Sequence, residues 1–324
     1  MRGTMNFTRR DFGKLALAAL PATLLAKPDS KWGGVQVGIN VPYSFHNLPG
    51  SADDVQKYVV DLGLSAVELR SQPVEEFFGC PIHYNTMSTR RAGAPPTAAE
   101  REAQRADADA KAAAVEKWRI SAPMDQFKSF RKKYEDAGIA IQIVKFDGVD
   151  KMKPEVVDYA FNLAKTLGAH AISCEIPLSK TPWLGEFATK HRMMVGYHGH
   201  TKIHDPEAFG APESWEKAMT YSKYNGINLD IGHFVAANNT SPIPFLKKHV
   251  DRITHIHVKD RKMNDGPNVP FGEGDTPIQE VLQLMKKEKY PFQATIEFEY
   301  KVPEGSDTLG EIAKCVEYCR KCLV

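Results

Sequence analysis

The chain has 324 residues, 42% of them hydrophobic and 25% charged, with a formal net charge of +2. That is globular composition, enough for one large α/β domain and too near neutrality for the basic field that nucleic acid demands. Five cysteines without a framework of close pairs exclude a disulfide-stapled fold.

Thr8-Arg9-Arg10-Asp11-Phe12-Gly13-Lys14 precedes an apolar run from Leu15 to Leu25. Paired arginines, a following Phe and Lys, and a short apolar segment make a twin-arginine export signal over residues 1–26. The run is too short for a comfortable transmembrane helix, so no stable membrane anchor is expected after cleavage. Loss of Arg2, Arg9, Arg10, Lys14 and Asp11 with this leader leaves a nearly neutral chain in the periplasm or another extracytoplasmic space. Residues 27–34 read as a linker.

From Val35 onward strands and helices alternate. Strand-like runs are Val35–Asn40, Ala66–Leu69, Ile139–Val144, Ala169–Glu175, Met193–His198, Ile227–Ile231, Ile253–Val258 and Ala294–Phe298. Between them lie amphipathic helical stretches with start signals at Ser51-Ala52-Asp53-Asp54, Lys153-Pro154-Glu155 and Asp275-Thr276-Pro277. Gly63, Gly138 and Gly168 stand where left-handed helix ends are wanted. Eight repeats of this alternation predict a single-domain α/β chain, a (β/α)8 TIM barrel over 35–324. An open doubly wound sheet would carry a glycine-rich turn after the first strand, where this chain has Asn40-Val41-Pro42-Tyr43. A polar, alanine-rich insertion at about 81–119 follows the second strand. Its Thr97-Ala98-Ala99-Glu100 reads as a capping box, so part of it should be helix, placed as a lid or shoulder on the catalytic face. Cys315, Cys319 and Cys322 fall at helical spacing with Ile312, Val316 and Leu323 and read as a core stripe rather than an iron–sulfur motif.

The strand ends carry the chemistry. Glu175 closes the fourth strand, His198 and His200 follow the fifth, Asp230 closes the sixth, His257 the seventh, and Glu297 lies near the end of the eighth. In a parallel barrel these ends converge on one face. Two Glu, one Asp and one His form an oxygen/nitrogen set suited to a divalent ion, Mn²⁺ before Mg²⁺, Co²⁺ or Zn²⁺. Taken singly, Asp230 could merely cap the next helix. Strand parity does not separate His255 from His257, or Glu297 from Glu299. Polarisation of a substrate carbonyl by such an ion makes the α proton acidic. Glu175 and Glu297 on opposite sides could remove and return it, giving epimerisation or isomerisation. A leaving group β to the carbonyl would make the same site a lyase. Lys259 is a candidate acid or oxyanion partner, its alternative being a solvated lysine paired with Asp260. His198 and His200 are acid/base or supporting candidates, and Glu68 reads as an ion-pair partner or substrate contact, with Arg261 a further substrate-binding candidate.

Tyr197-His198-Gly199-His200, Leu229-Asp230-Ile231-Gly232-His233, Arg252 to Asp260, Gly272-Glu273-Gly274-Asp275 and Ile296-Glu297-Phe298-Glu299 together resemble the xylose isomerase-like barrels, often described as sugar phosphate isomerases/epimerases. The resemblance covers roughly residues 35–320. It implies Glu175, Asp230, His257 and Glu297 as metal ligands and His233 as a partner of a substrate hydroxyl. Relatives often carry Asn where this chain has Gly199, and Glu where it has Ile203. The export signal and the lack of a glycine-rich phosphate loop point to a neutral sugar, oxidised sugar or glycoside; Arg90-Arg91 is the one basic pair nearby. A three-zinc DNA-repair nuclease on this barrel would need histidines where Glu68 and Lys145 stand. A non-catalytic exported sugar- or metal-binding protein would not need two carboxylates flanking one metal. Self-association is left open.

Overall fold

The computed structural model describes residues 27–84 and 97–324. The export signal, Arg90, Arg91 and the middle of the insertion lie outside these residues.

The barrel strands are β1 (Val35–Val41), β2 (Ala66–Arg70), β3 (Ala140–Lys145), β4 (Ala171–Cys174), β5 (Met194–His198), β6 (Asn225–Asp230), β7 (Ile253–Val258) and β8 (Gln293–Ile296). Each pairs in parallel with the next, and β8 returns to β1 through Ala294–Val37 and Ile296–Ile39, closing the expected (β/α)8 barrel. Nearly every strand residue is buried, because the helices cover the outer face while side chains fill the inside. Part of the stretch read as a linker belongs to the fold: Lys31–Trp32 forms a short antiparallel strand on the start of β1.

Helix starts follow the local chemistry. The Ser51 hydroxyl accepts from the Asp54 N–H, Pro154 opens the helix Pro154–Leu167, and Gly168 ends that helix at φ 85°. Cys315 and Cys319 are buried and Cys322 partly so, on one face of the terminal helix Thr308–Leu323, in keeping with the core stripe. No helix among the described residues is long and apolar enough to cross a membrane.

The insertion contains the helix Ala98–Ile120, opened by the expected capping box between Thr97 and Glu100. Residues 97–114 are exposed, and the helix docks through its last turns, where Val115 is buried. Arg119 there grips Glu75 through Nε–Oε1 (2.7 Å) and Nη2–Oε2 (3.0 Å), and Ser71 donates to the same carboxylate. The helix foot walls a cavity of about 440 Å³.

Candidate active site

Asp230 ends β6 and begins the helix Ile231–Asn238, and its carboxylate divides its work. Oδ1 accepts the His233 N–H at 2.7 Å as a helix cap. Oδ2 is buried without an aligned hydrogen bond and points inward. The capping and metal-ligand readings of this residue are therefore compatible.

His257 pairs in register with Asp230 across β6 and β7. Its Nε2 is 2.5 Å from Glu68 Oε2, which leaves Nδ1 at 3.1 Å from Glu297 Oε2 and 3.8 Å from Asp230 Oδ2. His255 sits one inward position lower, its Nδ1 2.9 Å from the Thr254 hydroxyl and its Nε2 3.3 Å from Glu68 Oε2. Glu297 is held by Asn40, whose Nδ2 donates to Oε1 at 2.8 Å, so that Oε2 faces His257. Asp230 Oδ2, His257 Nδ1 and Glu297 Oε2 thus form a buried donor set with no aligned hydrogen-bond partner. A carboxylate behind an imidazole is also how proteins orient a metal-binding histidine.

The charge of the site asks for a cation. Glu68, Glu175, Asp230, Glu297 and Glu299 face two buried lysines, Lys145 and Lys259, and the charged imidazole of His257. Burial alone would lower the His257 pKa, yet Glu297 and Glu68 carry it up to about 10. Burial pushes Asp230 up to about 6 against the pull of Lys259. A mixed oxygen/nitrogen set with surplus negative charge fits a divalent ion.

Glu175 does not join this group. Its Oε1 takes the Lys145 ammonium at 2.5 Å and its Oε2 takes His200 Nε2 at 2.9 Å, with the side chain 41% exposed. Burial would raise its pKa, but the His200 hydrogen bond and the Lys145 charge hold it well below the usual range. It is an ionised carboxylate at the wall of a cavity of about 400 Å³, beside His198 and His200.

His198 and His233 come within 4.8 Å of Asp230 and Glu297 as well. Both ring nitrogens of His233 face cationic donors, Arg261 Nη1 at 2.7 Å and Lys259 Nζ at 3.1 Å, which leaves no lone pair for a metal. His198 differs: Nδ1 is buried and unpartnered. Burial, then the Lys145 and His257 charges, keep its imidazole neutral.

The structure gives Lys259 and Glu68 their partners. Lys259 is not a solvated lysine paired with Asp260: it is 2% exposed and bound to Asp230, Glu297 and Glu299, while Asp260 collects the N–H groups of Gly272, Gly274 and Thr276. Glu68 finds its ion pair in His257, and the neighbouring Arg70 pairs with Asp147. Glu68 sits behind the imidazole, where it can reach substrate only through His257. Gly199 has a local reason, since a Cβ there would lie 2.4 Å from Trp215, whose indole is tied to the Tyr197 carbonyl. Sequence reasoning passed over Lys145, Asn40, Tyr43 and Asn268. The legible signal for the first two was a polar residue ending a strand at the catalytic face.

The fold and this carboxylate–histidine centre define a closed parallel barrel with its polar groups gathered at the C-terminal mouth. Residues 183–322 match the family model described as xylose isomerase-like TIM barrel. Inosose dehydratase of Clostridium botulinum (strain Eklund 17B / Type B) is 34% identical over 79 residues, a match that spans 24% of this chain and 25% of that relative. Among solved structures, the probable 3-DHS dehydratase AsbF from Bacillus anthracis superposes with a TM-score of 0.58 at 13% identity, covering 88% of this chain and 99% of that one. The 3-keto-D-glucoside 4-epimerase YcjR from E. coli superposes with a TM-score of 0.57 at 9% identity, covering 89% and 100%. At these identities the structural likenesses establish the fold.

Proposed function

We propose that the chain is a metal-dependent sugar isomerase/epimerase of the xylose isomerase-like class, abstracting a proton next to a carbonyl on a non-phosphorylated sugar or keto-glycoside. The observation that carries this is the buried convergence of Asp230 Oδ2, His257 Nδ1 and Glu297 Oε2 at the barrel mouth, with Glu68 behind the imidazole. These three residues would hold a divalent ion, Mn²⁺ first, and Glu175 would complete the set on releasing Lys145 or His200. When bound, such an ion supplies Lewis-acid polarisation of a carbonyl oxygen.

The remaining chemistry belongs to side chains. Glu175, ionised and lining the open cavity, is the group placed to take the α proton. His198, neutral with a free Nδ1, is placed to carry a proton to or from the opposite side. His233 is fixed by Arg261 at one ring nitrogen and faces the Lys259 ammonium with the other, which would turn to a substrate hydroxyl when Lys259 moves away.

A second reading is favoured by the similarity to inosose dehydratase. The α C–H bond breaks with its proton passing to Glu175, its electron pair forms a C=C bond and the β C–O bond breaks, the hydroxyl leaving as water with that proton returned from Glu175. Product analysis separates the two: epimerisation in D₂O incorporates deuterium without loss of water, and dehydration yields an unsaturated ketone.

The twin-arginine pattern of residues 1–26 supports a mature enzyme outside the cytoplasm. Export in the folded state lets Mn²⁺ load before release, where tighter-binding copper or zinc would otherwise win. Neutral substrates follow, because phosphorylated intermediates are cytoplasmic. Deuterium exchange into aldoses, ketoses and 3-keto-glycosides, with matched phosphorylated sugars, is the test. A preference of about 100-fold for the phosphorylated form, roughly 2.7 kcal/mol, overturns the substrate class. Absence of exchange or elimination across the panel overturns the reaction class.

A further inference from the structure

Lys259 lies two residues after His257, against the helix that Asp230 opens. A Cβ at Gly232 would stand 2.4 Å from its Cγ and 2.8 Å from its carbonyl, so a glycine is what lets this side chain pass. The ammonium reaches 3.1 Å from Asp230 Oδ2, 2.7 Å from Glu297 Oε2 and 2.5 Å from Glu299 Oε2. Two of these oxygens are the ones a divalent ion would take. A divalent ion and an ammonium drawing on the same two buried oxygens repel one another strongly, since little water screens them.

Glu299 is built differently from Glu297. Its Oε1 accepts from the Tyr43 hydroxyl, and its Oε2 accepts from Asn268 Nδ2 at 3.2 Å as well as from Lys259. It makes no contact with His257 of the kind that Glu297 makes. It is therefore a docking point for the ammonium that stands apart from the metal-binding set.

We propose that Lys259 is a tethered competitor for the metal: it neutralises Asp230 and Glu297 when the ion is absent, and yields them and rests on Glu299 when the ion binds. The inference depends on the metal reading given above. Lys259 is then a positioning residue. It keeps the carboxylates from splaying in the metal-free chain and sets a weaker, exchangeable affinity for the ion. Glu299, with Tyr43 and Asn268, sets how readily the lysine lets go.

Isothermal titration of Mn²⁺ into the metal-stripped full-length protein tests this, comparing wild type with Lys259→Met, Lys259→Gln and Glu299→Gln. Removing the ammonium should tighten Mn²⁺ binding by about 10-fold or more, while Glu299→Gln, which leaves the lysine with only the metal-binding carboxylates, should weaken it. Thermal unfolding supplies a second readout: Lys259→Met should melt lower than wild type without metal, and Mn²⁺ should raise its melting temperature by more. Lys259→Gln keeps the comparison available if the methionine variant does not fold. Affinity in the neutral variants equal to or weaker than wild type overturns the competitor role while leaving the metal site standing. Failure of wild type and all variants to bind Mn²⁺, Mg²⁺, Co²⁺ or Zn²⁺ overturns the metal reading and this role with it.

Discussion

Glu68→Gln probes the centre without touching any of its proposed metal-binding atoms. In the wild type, Glu68 Oε2 stands 2.5 Å from His257 Nε2, and both side chains are fully buried. Burial opposes the charge on Glu68, but His257 and His255 hold its pKa well below the ordinary value, so the carboxylate is ionised. It accepts the Nε2–H, so that a metal ion displacing the Nδ1 proton would find the lone pair on the nitrogen that faces Glu297 and Asp230. The amide of Gln keeps the shape and can still accept that proton, but without the charge. Carboxylates in this supporting position are worth about 10- to 100-fold in metal affinity, or about 1.4 to 2.7 kcal/mol. Mn²⁺ titration should therefore show a Kd raised within that range, with one site per chain retained. Fold retention is checked by circular dichroism, because a buried carboxylate exchanged for its amide keeps its packing. An unchanged affinity in a folded Glu68→Gln protein would refute the role of Glu68 and weaken the choice of His257 Nδ1.

Other perturbations bear on neighbouring parts of the molecule. Arg119→Met leaves the fully buried Glu75 without its partner and should cost about 3 to 5 kcal/mol in urea unfolding; Glu75→Gln combined with it should recover part of the loss, and a single variant as stable as wild type would show that the insertion foot carries no weight. Gly232→Ala should force Lys259 from its path, given the 2.4 Å approach, and lower stability by about 1 to 3 kcal/mol as an overpacked site; a neutral effect in thermal unfolding would contradict that packing. Deleting residues 82–119 should leave a folded barrel and raise KM, since the helix foot and the substrate-facing cavity share the wall at Gly148 and Lys151; unchanged kinetics would reduce the insertion to decoration.

Much of the barrel was legible because its signals are local. Eight apolar runs with a carboxylate or imidazole at several ends describe both the alternation and the face on which the polar groups gather. What was not legible depends on heights and registers. His255 and His257 point the same way, and a shift in the pairing of β6 with β7 between Ile227 and Asn228 decides which one meets Asp230. Glu297 and Glu299 lie beyond the end of β8 at Ile296, so strand parity does not apply to them; Asn40 selects one for the centre, and Tyr43 selects the other for Lys259. Lys145 carried no site role in the sequence, yet the closed barrel buries it and gives it Glu175 as a partner. That pairing is also why Glu175 stands apart from the other three expected ligands, a consequence of side-chain competition that spacing does not encode. The hairpin of Asp260–Arg261 with Asn268–Val269 went unforeseen because each strand is two residues long.

The most direct measurement is metal stoichiometry with and without Asp230. Protein purified without chelator and analysed by mass spectrometry of its metals should carry about one divalent ion per chain. Asp230→Ala should lose that ion and the deuterium exchange into substrate, while circular dichroism reports a folded barrel. A folded Asp230→Ala protein with full metal occupancy, or wild-type protein that binds no divalent ion at any concentration tested, would contradict the account.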